Sequence, residues 1–287
     1  CPDEVPPALK DLKWDPSAVA GKSRASSHPT MPDGKKATTF REAASMDWLE
    51  FKVEIRGKAI RFHGHAFIDH ATTHALMRCT QTRTAANAIA NTLWYLNKTD
   101  LYAGLNTVFL LKSDRAKEYM AKRFNNVAIY SKIVQFFTAP YVHPQNGLVE
   151  RYNQTIQRMV TVIMHDSNMP GEYVVYAIEF CVAVYNMCPV ESLQWVTREE
   201  LMSGNKPDMR YIFRFGCLLK MLKPLETRTH KFDVRAEDYC YLGPCPLGSG
   251  TRGLSIRTKR VHVRHDVVCY SDVMPFRSMG GSVHSKL

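Results

Sequence analysis

Three carboxylates, Asp47, Asp114 and Glu150, carry the chemistry that this sequence suggests. Asp47 lies in SMDWLEFKVE (45–54), a segment that predicts a strand. Asp114 ends TVFLLKSD (107–114), a short, nearly all-apolar run of the kind buried on both faces of a sheet. Glu150 falls in the first turn of a helix predicted over 148–167, after the loop YVHPQNG (141–147). Carboxylates at strand ends and a helix start can converge where open α/β sheets place their sites. Three of them can hold two Mg²⁺ ions, hard cations that prefer oxygen ligands. Two such ions would activate a water or a 3′-hydroxyl and stabilise the leaving oxygen of an in-line phosphoryl transfer. Each carboxylate taken alone is as readily a surface or turn residue.

The elements around them predict an α/β domain. Residues 1–40 are rich in Pro, Ser, Ala and Lys without periodicity and read as an extended arm. AIRFHGHAFID (59–69) and HALMRCTQT (74–82) follow the first strand as two more, all antiparallel. TAANAIANTLWYLNK (84–98) has helical spacing, with Thr84 able to cap it. RAKEYMAKRF (115–124) is expected to be helical, VAIYSKIVQFFTAP (127–140) to contain a strand, and GEYVVYAIEFCVAVYNM (171–187) to form a second long helix. This domain, 41–200, should end near residue 200. Beyond it, 201–287 holds short apolar segments broken by Gly and Pro, the pattern of a small β-barrel. Trp48, Trp94 and the 171–187 helix are expected to build core or a self-association surface.

Composition narrows the function classes. Of 287 residues 45% are hydrophobic and 23% charged, which excludes wholesale disorder and a fibrous repeat. No run of about 18 apolar residues is present to span a membrane. The N-terminal stretch has neither the basic nor the apolar region of a secretory signal, and without an initiator Met it reads as part of something longer. Eight Cys without a CxxC pair suit a reducing, intracellular protein in which structural zinc is not expected. The net charge of +11 is uneven: +1 over residues 1–46, +2 over 47–200 and +8 over 201–287. A basic region beside a near-neutral one suits a polyanion, because neutralising phosphates releases counterions. A solvated basic surface is the competing reading.

Further candidates surround the acids. On the long helix Glu150, Asn153, Gln154, Gln157 and Arg158 recur at three and four, a polar face suited to phosphates or base edges. Lys112, Arg115, Arg151 and Arg158 are the expected phosphate contacts near the site. Asn146 is assigned to nucleic acid too, in a loop (144–147) expected to close on DNA about Gly147. His63, His65, His70 and His74 lie within twelve residues. A polar, partly exposed strand edge explains them better than a metal site, because strand alternation does not make all four converge.

The motifs around the acids resemble the integrase of copia-type LTR retrotransposons, a branch of the retroviral integrase family. APYVHPQNGLVERYNQTIQRMV (139–160) is similar to the family segment bearing its third acid, and 35 residues separate Asp114 from Glu150, the family spacing. LKSDRAKEYM (111–120) resembles the second-Asp motif, with Glu118 and Tyr119 in the expected places. SMDWLE followed by HAFIDHATTHALMRC resembles the first-Asp strand and its hairpin partner. On that pattern Asp47 is catalytic and Asp69 a strand-end residue. MPGEYVVYAIEFCVAVYNMCPVES, GNKPD (204–208) and RFGCLL (214–219) look like the stretch linking core to C-terminal domain. The resemblance covers roughly residues 40–270 and implies an RNase H-like core, a mixed sheet flanked by helices, followed by an SH3-like barrel. It implies a DDE endonuclease and transferase that uses two Mg²⁺ or Mn²⁺ ions to trim element 3′ ends and join them to target DNA. It further implies a homo-oligomer without membrane contact, reaching the nucleus through a cytoplasmic particle. Two departures stand out. Arg115-Ala116 replaces the family's Gly-containing pair after the second Asp, so the loop must differ or turn helical at once. WDPSAVAGKSR (14–24) has Asp15 and Ala18 where zinc-binding Cys belong, making the arm a degenerate zinc domain. Both departures favour the alternative of an inactive or domesticated, nucleic-acid-binding remnant.

Overall fold

In a computed structural model, residues 37–100, 109–138, 147–223, 230, 232, 234–246 and 248–278 are described. The arm with Asp15 and Ala18, and Asn146 in the loop before Gly147, lie outside these residues. Strand β1 (Ala43–Ile55) turns tightly into β2 (Lys58–Asp69), their last pair being Ile55 with Lys58. Arg56 and Gly57 make that turn with φ of 52° and 73°, the doubly left-handed geometry that matches strand twist. Strand β3 (Ala75–Thr80) pairs antiparallel with β2. Helix α1 (Ala85–Thr99) follows, with the Thr84 hydroxyl accepting the Asn87 N–H at 3.2 Å.

Strand β4 (Phe109–Ser113) lies parallel to both β1 and β5 (Ile133–Phe137), giving the mixed order β3-β2-β1-β4-β5. All five β4 residues are buried, because a central strand is covered on both faces. Between β4 and β5 the chain departs from the sequence expectation. The expected helix over 115–124 is two pieces, α2 (Lys117–Met120) and α3 (Lys122–Tyr130), parted at Ala121, whose ψ of 134° is extended. The second piece runs through Val127–Tyr130, which had strand-like composition. Phe124 and Ala128, four apart, bury one side of that helix, and tertiary packing outweighs β propensity there.

Helices α1 and α3 cover one face of the sheet, around Met46, Trp48, Phe67, Tyr95, Leu111 and Phe124. The other face packs on α4 (Gly147–Ser167) and α5 (Val174–Met187), which a 3-10 turn at Gly171–Tyr173 precedes. Val149, Tyr152, Ile156, Val160 and Met164 form the buried stripe of α4. Gly171 is needed for close approach: a Cβ there would stand 2.6 Å from the Glu54 carbonyl oxygen. After α6 (Arg198–Ser203) comes a second sheet of β6 (Leu218–Leu222), β7 (Ala236–Pro244), β8 (Thr251–Ser255), β9 (Val261–Arg264) and β10 (Val267–Tyr270). Its pairs are all antiparallel, in the order β10-β6-β7-β8-β9, so the last strand returns to the first. A short helix, α7 (Pro275–Ser278), follows. One hydrophobic cluster runs from the first sheet through α4 and α5 into the second, where Phe180 packs on Phe215 and Tyr241 at 5.5 and 5.8 Å. Arg252 of β8 pairs with Glu179 of α5 across the same junction.

Candidate active site

Asp47 sits in the middle of β1 on the face that packs against α4. Strand alternation requires this, since Met46 and Trp48 belong to the opposite cluster. The parallel register pairs Ala43 with Leu110 and Ser45 with Lys112. Carried two positions further, it brings Asp47 beside Asp114, just past the end of β4. Glu150 enters from above in the first turn of α4, where the helix dipole favours a negative charge. Asp47 accepts its bonds from within: Oδ1 from the Trp48 N–H at 2.7 Å and Oδ2 from Nδ2 of Asn153 at 3.0 Å. Burial is the main force pushing its carboxyl up, to about 6. The Trp48 N–H and the Arg83 charge oppose that shift, while Asp114 and Glu150 add to it by repulsion.

Asp114 is exposed, and its Oδ1 accepts the Ala116 N–H at 3.1 Å. That bond explains how the chain dispenses with glycine after Asp114. Ala116 is extended, at φ −61° and ψ 146°, and neither it nor Arg115 needs a positive φ. The helix starts at Lys117, so of the two alternatives the loop differs and the turn is not helical at once, and the helix expected from residue 115 begins two residues later.

The acids fit a divalent cation chemically: three hard oxygen donors whose mutual repulsion a cation would relieve. As placed, however, no group of three His, Cys, Asp or Glu among the described residues stands close enough to hold a metal ion. Asp47 and Asp114 each accept bonds from internal donors, which fix the carboxylates and leave lone pairs on their oxygens for an ion.

Of the expected nucleic-acid contacts, Arg115, Arg151, Gln154, Gln157 and Arg158 are exposed, while Asn146 lies outside the described residues. Two others are corrected. Lys112 is only 3% exposed, with its amine over the Phe136 ring at 5.7 Å, because β4 is central and buried on both faces. Asn153 is buried too and bonds to Asp47, so it serves the carboxylate and presents nothing to solvent. The histidines do not form an exposed edge: His63 and His65 are on β2, which lies between β1 and β3, His70 meets the Ser45 hydroxyl, and His74 is buried against Glu199. His65 is fully buried, stacked on Trp48 at 4.1 Å and bonded through Nε2 to the Tyr119 hydroxyl at 2.9 Å. Burial pushes its imidazole down to about 3, so it stays neutral. Asp69 ends β2 and accepts the N–H groups of Arg41, Ala71 and Thr72.

Arg83 went unnoticed in the sequence. It immediately precedes the Thr84 cap, and its guanidinium reaches Glu118 through Nε and Nη2 at 2.9 and 2.8 Å. The available signal was positional: a residue between β3 and the α1 cap lies at the end of the sheet.

The chain is similar to retrovirus-related Pol polyproteins of plant transposons. That of transposon RE2 from Arabidopsis thaliana is 26% identical over 165 residues, 56% of this chain and 11% of the polyprotein. The chain thus spans about a tenth of the length of the polyproteins it matches. No family model matches it. Among solved structures, a chain of the simian T-cell lymphotropic virus intasome in complex with PP2A regulatory subunit B56 gamma aligns with a TM-score of 0.50 and 15% identity, over 84% of this chain and 82% of that one. The HTLV-2 integrase catalytic core domain in complex with magnesium aligns with a TM-score of 0.47 and 16% identity, over 58% of this chain and 99% of that one. At such identities the likeness is one of fold: a mixed five-stranded sheet with helices on both faces, the RNase H-like arrangement expected of an integrase core.

Proposed function

We propose that this chain is the integrase segment of a retroelement polyprotein, a DDE recombinase whose carboxylates are Asp47, Asp114 and Glu150. The observation that carries the reading is the convergence at the half-buried Asp47: the β1–β4 register brings it beside Asp114, and α4, which bears Glu150, bonds to it through Asn153, while burial and, to a lesser degree, the two further acids raise its carboxyl to about 6. Surplus negative charge at one spot of a fold calls for a cation. In this reading the three carboxylates hold two Mg²⁺ or Mn²⁺ ions, which would supply charge stabilisation at the reacting phosphate when bound. Asn153 orients Asp47, and the exposed Arg115, Arg151, Gln154, Gln157 and Arg158 hold DNA by its phosphates and groove edges. The C-terminal sheet is read as an SH3-like barrel, supported by its last strand pairing with its first. It presents Arg257, Lys259 and Arg260, all exposed, to element or target DNA. In this reading the chain acts as a homo-oligomer on element and target DNA, with the nucleus as its destination. No described helix is long and apolar enough to cross a membrane.

The second reading is a DNA-binding remnant that does not cut. It is favoured by Arg115, whose positive charge stands beside Asp114. Strand transfer on a labelled duplex carrying the element's own terminal sequence, in Mg²⁺ and in Mn²⁺, decides between them. Joined products in the wild type that fall by about 10³-fold or more in Asp114→Asn and Glu150→Gln, a barrier of about 4 kcal/mol, establish the first reading. DNA binding without joining in either metal establishes the second.

A further inference from the structure

We propose that Arg83 receives a DNA phosphodiester at this site and that Glu118 holds it in place until DNA arrives. The inference rests on the reading of the chain as a DNA-joining protein and adds a substrate-contacting residue to it. Arg83 Nε and Nη2 both reach one oxygen, Oε1 of Glu118. A guanidinium has five N–H donors, so three remain, and none has a partner among the described residues. The Arg83 side chain is 41% exposed and that of Glu118 12%, so the cation faces outward and the anion inward.

Its position is fixed from several sides. The guanidinium lies 5.9 Å from the centre of the Trp48 ring, and Trp48 directly follows Asp47. His65 stacks on the Trp48 indole and bonds to Tyr119. Glu118 and Tyr119 are consecutive residues of α2, the helix that begins three residues after Asp114. One short helix therefore contacts both Arg83, through Glu118, and His65, through Tyr119, the two groups that meet the Trp48 indole on β1 next to Asp47. Arg83 bonds to neither acid, yet its charge acts on Asp47. A rigid, half-exposed guanidinium with free donors matches the paired oxygens of a phosphodiester, which an ammonium does not engage in the same two-point way. The two other nearby candidates fit less well, since Lys112 is buried and Arg115 has no such anchoring.

The alternative is that Arg83 only ties α2 to the start of α1. Three variants separate the two roles: Arg83→Gln, Arg83→Lys and Glu118→Gln, with binding to a fluorescent duplex followed across salt concentrations and joining followed on the same duplex. A phosphate contact predicts that Arg83→Gln lowers the slope of log K against log salt by about 0.9, the loss of one phosphate. Joining should fall at least about tenfold in Arg83→Gln and severalfold in Arg83→Lys, which keeps the slope. Glu118→Gln should bind as tightly as wild type or tighter, because the guanidinium is freed. An unchanged slope in Arg83→Gln, or equal impairment of Arg83→Gln and Glu118→Gln, overturns the inference. Should Arg83→Gln fail to fold, weaker binding by Glu118→Gln overturns it and tighter binding supports it. If wild type binds DNA without joining, the integrase reading fails, and the salt slopes still decide the role of Arg83.

Discussion

Two aspartates on neighbouring strands of this sheet, Asp69 buried and Asp47 half-buried, live in opposite surroundings. Asp69, at the end of β2, is enclosed by donors. Oδ2 accepts the Arg41 N–H at 2.7 Å, and Oδ1 accepts from Ala71 N–H, Thr72 N–H and the Thr72 hydroxyl at 3.0, 2.7 and 2.8 Å. Asp47, on β1, has two donors and, further off, two acids that repel it. Burial raises both carboxyls. The difference lies in what offsets burial: at Asp69 the fold supplies every partner, whereas at Asp47 it leaves a charge to be balanced from outside. A carboxylate fully served by its own chain is there for the turn it closes. One surrounded by its own kind is placed for a cation.

The same substitution at the two positions should therefore have opposite signs. In Asp69→Asn the new amide must face a backbone N–H on one side or the other, and a buried donor is left unpaired. We expect a loss of roughly 2–3 kcal/mol at pH 7, seen as a lower urea midpoint. In Asp47→Asn the amide can face Asn153, whose Oδ1 is buried without a partner and comes into reach if that amide flips. Asp47 has a folded-state value above its unfolded one, so the wild type loses stability as pH rises from about 4 to about 6. Asp47→Asn should abolish joining yet be more stable than wild type by on the order of 2 kcal/mol at pH 7. That gain should vanish as pH falls below about 4. A destabilised Asp47→Asn at pH 7 would put Asp47 in the same class as Asp69.

A cation supplied from outside should cancel part of the difference. Millimolar Mg²⁺ at pH 7 should raise the melting temperature of wild type by a few degrees, because a ligand that binds only the folded state stabilises it by mass action. Asp47→Asn should respond much less and Asp69→Asn as fully as wild type. Equal responses in all three would place the bound ions elsewhere.

How far these surroundings can be read from sequence depends on whether the cause is local. The Thr84 cap, the buried run of β4 and the α4 stripe are set by neighbours within a turn or two, and the expected elements match them. The RNase H-like sheet order is implied by the resemblance of the motifs around the acids, and the strand pattern by itself gives only an α/β domain. Lys112 was misjudged because its exposure depends on β5 and on the face it shares with Ser45, not on the charge it carries. Asn153 has helical spacing with Gln154 and Gln157, but a one-residue rotation around α4 separates a side chain on Asp47 from those in solvent. Arg83 and Glu118 are 35 residues apart in the chain, and their pairing depends on where Ala121 breaks the helix. In each case a tertiary neighbour decides what a polar side chain does.

The smallest expected effect tests Asn153, the one link between α4 and the Asp47 carboxylate. Asn153→Ala removes the donor at 3.0 Å from Oδ2, which costs stability, and also removes the buried Oδ1 that has no partner, which restores some. The two terms oppose each other, so the net change in stability should stay below about 1 kcal/mol. The carboxylate, however, loses a bond that is stronger to its charged form than to its neutral one, and its protonation should move further upward. The acidic limb of the pH–rate profile for joining should then shift to higher pH while the alkaline limb stays in place. Asn153→Gln cannot place its amide at the same distance and should behave like the alanine variant. A large stability loss with an unmoved acidic limb would make Asn153 a packing residue of α4 and leave Asp47 oriented by the Trp48 N–H alone.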